Sequence, residues 1–228
     1  MAILELKGIR KEYRKGEKKV EALCGVDLTI EKGEFLSVVG PSGSGKTTLL
    51  NIIGCLDTPT TGSVVYNSRE LVRMSEKELS EYRKENIAFI FQSYNLIPVL
   101  TVQENVELPL VIKRELSRKE IAAKAMEVIV AVGLSGMADR FPRELSGGQE
   151  QRVAIARALV KNPIVVLADE PTANLDSHTA EDIIALMETM NRDRHTTFIF
   201  STHDKRMEDH ARRVILLKDG AVASDGRK

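Results

Sequence analysis

Residues 40–47 of this 228-residue chain read GPSGSGKT, and that string restricts the fold more than any other in the sequence. Gly40, Gly43 and Gly45 can adopt backbone angles closed to other residues, so successive N–H groups can turn inward on an anion. Lys46 adds a mobile positive charge, and Thr47 adds a hydroxyl suited to Mg²⁺. Such a string works only between a buried strand and a helix N-terminus, where bare N–H groups and the helix dipole also favour an anion. Both flanks are present. FLSVV before it is a short apolar run bounded by turn residues, and TLLNIIGCL after it has helical apolar spacing. The expectation is a strand, a phosphate-clamping loop and a helix, the start of an α/β domain.

A second string, LSGGQ, occupies residues 145–149. Ser146 sits where a helix N-cap belongs, ahead of GGQEQRVAIARALV, in which Val153, Ile155, Ala156, Leu159 and Val160 form an apolar stripe. Gly147 and Gly148 directly after the cap leave the helix start bare, so its N–H groups, with Gln149 beside them, can face a phosphate. An ordinary capped surface helix would explain LSGGQ alone. Beside a phosphate clamp, a second anion-facing helix is the better reading.

Together the two strings resemble the ATPase subunit of ATP-binding cassette (ABC) transporters, and the resemblance runs over nearly the whole chain. It implies an α/β fold: a P-loop NTPase (RecA-like) core, a small antiparallel β subdomain and an inserted α-helical subdomain over approximately residues 92–161, all in one domain of residues 1–228. It implies that Gly40, Pro41, Ser42, Gly43, Ser44, Gly45, Lys46, Thr47 and Thr48 hold ATP. It further implies a head-to-tail, twofold homodimer, because in that family each subunit's signature (here Ser146, Gly147, Gly148 and Gln149) caps the ATP held by the other.

Length and charge agree. The chain is long enough for one α/β domain with a sizeable core and has room for little else. Lys+Arg and Asp+Glu both total 33, so net charge gives no reason to expect nucleic acid or an anionic membrane as partner. No apolar run approaches the ~20 residues needed to span a bilayer. The N-terminal MAILELKGIRKEY carries Glu5 and Lys7 where a signal peptide needs an apolar core. The expected protein is cytoplasmic and peripheral to the membrane, with another polypeptide supplying any channel. Cys24 and Cys55 fit neither a disulfide framework nor a zinc site and read as small buried hydrophobes of a reducing compartment.

Residues 3–12, 20–23 and 26–30 read as short strands, joined later by 63–66 in a small antiparallel sheet. Residues 92–161 turn helical. S-x-x-E capping boxes stand at 75–78 and 117–120, the second opening a helix with Ile121, Ala125, Val128, Ile129 and Val132 on its apolar face. Strand signals resume at IVVLAD, TTFIFST and RRVILLKDG, alternating with helical stretches such as SHTAEDIIALMETMNRD. That alternation predicts a parallel sheet covered on both faces.

The string IVVLADE at 164–170 ends a buried strand in two acids, at the edge where ligands of open α/β sheets bind. Adjacent carboxylates repel each other, which favours a nearby cation over a simple capping role. The resemblance assigns Asp169 to Mg²⁺, through water, and Glu170 to the general base that accepts a proton from the attacking water. It likewise assigns Gln92 to the loop that touches Mg²⁺ or water and joins the core to the helical insert. His203 falls to the γ-phosphate, Asp176 to the loop that crosses the dimer, and Tyr13 to stacking on adenine. By residue type alone, Gln92 reads as a solvated loop residue, His203 as structural and Tyr13 as a half-buried surface ring. His210 near His203 finds no third ligand for a metal. Glu150 departs from the family pattern, where relatives often carry glutamine. The implied chemistry is in-line attack of water on the β,γ bond, catalysed by positioning and electrostatics.

GCLDTPTTG, NLIPVLTVQENVELPL and the short C-terminus after KDG resemble ATPases paired with lipoprotein-releasing and macrolide-exporting permeases. The alternative within that group is force transmission without transport, as in its cell-division members. Soluble DNA-repair and translation ATPases of the family fit less well, because the chain lacks sustained heptads and has a single cassette. The loop residues Tyr94, Leu96, Ile97, Pro98, Val99 and Leu100 form an apolar run expected to receive a short helix of the permease.

Overall fold

The computed structural model describes residues 2–16 and 18–228. Strands β1 (Ala2–Lys15) and β2 (Lys18–Glu31) form a long antiparallel ladder, which β3 (Phe35–Val39) leaves for a second sheet. After α1 (Lys46–Ile53), β4 (Thr61–Tyr66) returns to pair with β1, and β5 (Arg69–Glu70) completes a four-stranded sheet in the order β2-β1-β4-β5. The two strands expected over 20–23 and 26–30 are one strand. Ile9 pairs with Val26 and Arg10 with Cys24, so Gly25 is the extra residue of a β-bulge and not a turn.

The second sheet holds β6 (Ile87–Phe91), β7 (Val165–Asp169), β8 (Thr197–Ser201), β9 (Arg213–Lys218) and β10 (Ala221–Arg227) in the order β10-β9-β3-β8-β7-β6. Neighbours from β9 to β6 run parallel, as the alternation of strand and helix predicts. Strand β10 is an antiparallel edge that the polar stretch AVASDGR does not announce. The signal for it was the Asp219-Gly220 pair, both at positive φ (48° and 77°), which makes the tight turn typical of two-residue hairpins.

Side chains alternate strictly across this sheet. Val165, Leu167 and Ile199 face the core shared with α1, the first sheet and α2 (Glu76–Asn86). Val166, Ala168, Phe198 and Phe200 face the core of α3 (Val102–Lys113), α4 (Arg118–Ala131), α5 (Gly147–Leu159), α6 (Ser177–Arg194) and α7 (Lys205–His210). The period of 2 thus buries both faces, and with them the strand ends are fixed against two rigid layers. The Ser117 box caps α4 as expected. The Ser75 box opens α2, which precedes the 92–161 window, and α3 has an unforeseen box of its own from Thr101 and Glu104.

Candidate active site

The phosphate loop leaves β3 at Val39 and turns on Gly40, Gly43 and Gly45, at φ 152°, 79° and 101°. A Cβ at Gly40 would lie 2.1 Å from the Leu217 carbonyl oxygen, and one at Gly45 would lie 2.5 Å from that of Ala22. The loop is therefore wedged between β9 and β2, and the Gly220 N–H braces it further by donating to the Ser44 carbonyl at 3.1 Å. Gly43, by contrast, has open space about it. Lys46, the first residue of α1, donates to the carbonyls of Gly40 (2.7 Å) and Pro41 (3.0 Å), which folds its ammonium over the loop.

Beside this loop the ends of β7 and β8 bring the acids together in a cleft of about 800 Å³. The Thr47 hydroxyl donates to Asp169 Oδ2 at 3.5 Å. Glu170 adopts φ 48° and donates its N–H to the Ser201 carbonyl at 2.8 Å. Its carboxylate meets His203 Nδ1 at 2.6 Å through Oε1, and Oε2 accepts from the Thr202 hydroxyl at 3.2 Å. Thr202 was missed in the sequence. It is held in turn by the Asp204 N–H (3.0 Å), and Asp204 also accepts from Thr172 at 3.0 Å. Paired N–H and guanidinium contacts from Arg206 hold the Asp204 carboxyl below the ordinary carboxylate range.

The cleft is lined by the expected Gly40, Pro41, Ser42, Gly43, Gly45, Lys46, Thr47, Thr48, Gln92, Asp169, Glu170 and His203. Two expected residues are not in the lining. Ser44 is buried beneath the loop with its hydroxyl unpaired. Tyr13 gives its hydroxyl to Asp57 Oδ2 (2.7 Å), with Lys11 Nζ 5.0 Å from its ring centroid. Its cross-strand neighbour on the same sheet face, Val20, 52 % exposed, lines the cleft in its place. Glu21, Ala22 and Ser201 complete the walls.

The signature residues Ser146, Gly147, Gly148 and Gln149 lie outside the cleft of their own chain. Ser146 caps α5 with Gln149 in a reciprocal box, at 2.9 and 3.4 Å. Gly148 presses on α6, where a Cβ would stand 2.4 Å from Thr179 Cγ2. Asp176 caps α6 by accepting from His178 and Thr179 N–H groups, and Asn174 donates to the Gln92 carbonyl at 2.9 Å. The glycine-shaped cradle fits a chain of phosphates, and the Thr47, Asp169 and Gln92 oxygens fit a hard cation such as Mg²⁺.

A phosphate loop with its lysine, a histidine just after the neighbouring strand β8 and two acids at the end of the next strand, β7, define a P-loop nucleoside triphosphatase. Residues 23–173 match the family described as ABC transporter, and the chain belongs to that family. It is 47 % identical over 96 % of its length to an ABC transporter ATP-binding protein of Methanocaldococcus jannaschii, 95 % of which is covered. It is 44 % identical over 99 % of its length to the macrolide export ATP-binding/permease protein MacB of Bdellovibrio bacteriovorus, of which it spans 34 %, about a third. A dimeric post-hydrolysis structure of the Methanocaldococcus cassette, bound to ADP and Pi, has a TM-score of 0.89 at 45 % identity over 98 % of both chains. The protein is an ATP-binding ATPase.

Proposed function

We propose that this chain is the motor subunit of a membrane transporter of the macrolide-export and lipoprotein-release type, and that it works as an ATP-dependent twofold dimer. The observation that carries the proposal is the split site: the candidate base, the histidine and the phosphate loop share one cleft, while the signature helix start lies outside it. A second copy related by a twofold axis would bring its Ser146 and glycine N–H groups to the exposed phosphate side. In this reading the helices within residues 92–161 carry the signature toward that copy.

The chemistry follows from positions already described. Loop N–H groups and Lys46 hold the β- and γ-phosphates in line with an attacking water. Mg²⁺, when bound, neutralises charge on the leaving oxygens. Glu170, oriented by Thr202 and His203, accepts the proton of that water. The dimer test uses a Glu170→Gln background to trap ATP. That protein should be monomeric without nucleotide and dimeric with ATP by light scattering. Adding Ser146→Arg should keep it monomeric, because a bulky cation would fill the phosphate-facing cap, while ATP binding stays within a few-fold. Normal dimerisation of the Ser146→Arg protein would overturn the in-trans arrangement.

The apolar run expected to receive the permease is largely covered. Leu96 packs against the helical core, and of the apolar run only Pro98 and Val99 (76 % exposed) stand out to solvent. A groove of about 500 Å³ opens instead between α2, β6, α3 and α5, walled by Leu56, Phe89, Phe91, Leu108, Pro109 and Ile112. Arg83, Lys84, Arg157 and Lys161 also line it, and no carboxylate does. Burial pushes Lys161 down to about 8, and its ammonium donates to the Arg83, Lys84 and Ile87 carbonyls at 3.2, 2.8 and 2.6 Å. Lys84 is paired with Glu81 at 2.7 Å, while Arg83, Arg157 and Lys161 bind backbone carbonyls; apolar walls with these three cations suit a short amphipathic helix of the permease that carries an acidic residue. Ile112→Asp, at a site 55 % exposed, should weaken permease binding by ~2 kcal/mol or more, with basal ATPase unchanged. Val130→Asp, at an exposed site on α4, should leave both permease binding and basal ATPase unchanged. Parental permease binding by the Ile112→Asp protein in a pull-down titration would move the docking surface elsewhere.

A further inference from the structure

Gln151 lies on α5, five residues beyond the capping Ser146, and is completely buried. Its Nε2 donates to the Pro171 carbonyl at 2.6 Å, and its Oε1 has no partner. A buried acceptor without a partner destabilises a fold, and an apolar side chain here would remove that orphan only by leaving the Pro171 carbonyl without its donor. The amide therefore serves one carbonyl, and that carbonyl belongs to the residue directly after Glu170.

Glu170 takes a left-handed angle, φ 48°, which a non-glycine residue keeps only where its surroundings enforce it. On the β8 side the enforcement is the Ser201 carbonyl, the Thr202 hydroxyl and His203, already described. Beyond Glu170 the turn closes through the Ala173 N–H, 3.2 Å from the Glu170 carbonyl, and through Gln151 reaching over from α5. Pro171 has no N–H of its own to add. Gln151 therefore supplies the anchor from the helical layer that opposes the anchors from the sheet.

We infer that Gln151 is a positioning residue for hydrolysis: it fixes the Glu170-Pro171 turn so that the Glu170 carboxylate stays aimed at the γ-phosphate side of the cleft. The inference rests on Glu170 being the base. It also ties the base to the helix whose first turn carries the signature.

The test is Gln151→Met in the full chain, a change close in length and volume that removes both the donor and the orphan acceptor. The Tm should stay near that of the parent, because the Pro171 carbonyl left without its donor offsets the orphan acceptor removed, and KM for ATP and ATP-driven dimerisation should be unchanged. The kcat should fall on the order of 10-fold or more, as expected for a displaced reacting group. Gln151→Leu should behave alike, which guards against an effect peculiar to methionine. Combined with Glu170→Gln, Gln151→Met should cause no further loss, since both act through one group. A kcat within twofold of the parent, with or without a lowered Tm, would reduce Gln151 to a packing residue, and a fall in kcat matched by a loss of ATP affinity would place its effect on binding. If Glu170→Gln itself retains turnover, the base assignment fails. If Glu170→Gln is inactive and Gln151→Met is not impaired, only the positioning role fails.

Discussion

Glu170→Gln should abolish steady-state ATP hydrolysis while leaving ATP binding intact. The amide has the shape of the carboxylate and can keep contacts to Thr202 and His203, so the left-handed turn at this position and the neighbouring phosphate loop have no reason to move. What disappears is the proposed proton acceptor. Loss of a general base typically slows a reaction ~10²–10⁴-fold. Turnover should be measured together with the affinity for a fluorescent ATP analogue. Near-normal turnover would place the base elsewhere, and lost affinity would make Glu170 a structural residue of the loop.

Gly45→Ala should damage both fold and binding. Gly45 is the N-cap of α1 at φ 101°, and its missing Cβ leaves room for the Ala22 carbonyl and, at 2.9 Å, for Leu23 Cδ2. A methyl group there meets backbone on one side and a core side chain on the other, so β2 or the loop must shift. Strain at such an angle costs ~1–3 kcal/mol, and overpacking adds a similar amount. A loss of about 3 kcal/mol would lower the Tm of a domain this size by roughly 6–12 °C. The displaced start of α1 should also lose ATP affinity. Lys46→Ala is the comparison: its side chain contacts only loop carbonyls, so affinity should fall while Tm stays near that of the parent. A Gly45→Ala protein with parental Tm and affinity would mean that the loop yields more easily than its packing suggests.

The parts of the site that the sequence reveals are those set by local chemistry. A glycine that must take positive φ, a serine that caps a helix and an acid at the end of an apolar strand each declare themselves within a few residues. The same holds for the caps at Ser117 and Ser146. Features made by distant segments stay hidden. Gly25 looks like a turn because a bulge and a turn use the same residue, and the difference lies in the register of β1 opposite. Gln151 is polar within an amphipathic helix, and only the turn after β7, packed onto α5, shows that it is buried. The basic groove draws on four separate elements, so no window of sequence displays it. Tyr13 is tied through its hydroxyl to Asp57, 44 residues on, a contact that no local window displays.

Strand β10 has a consequence for how copies of this chain can meet. An open sheet edge is a template on which further strands can add and aggregates can grow. Here the edge strand shifts register between Val222 and Ser224, and it is studded with charge. Asp225 is bound by two guanidinium contacts from Arg213 at 2.7 and 2.6 Å, and Arg227 reaches Glu34 at 2.9 Å. A neighbouring chain would have to break these ion pairs and match a kinked ladder to extend the sheet. If the chain self-associates on command, as proposed, it gains from refusing to do so by default, and β10 is built to resist indiscriminate stacking at the sheet edge.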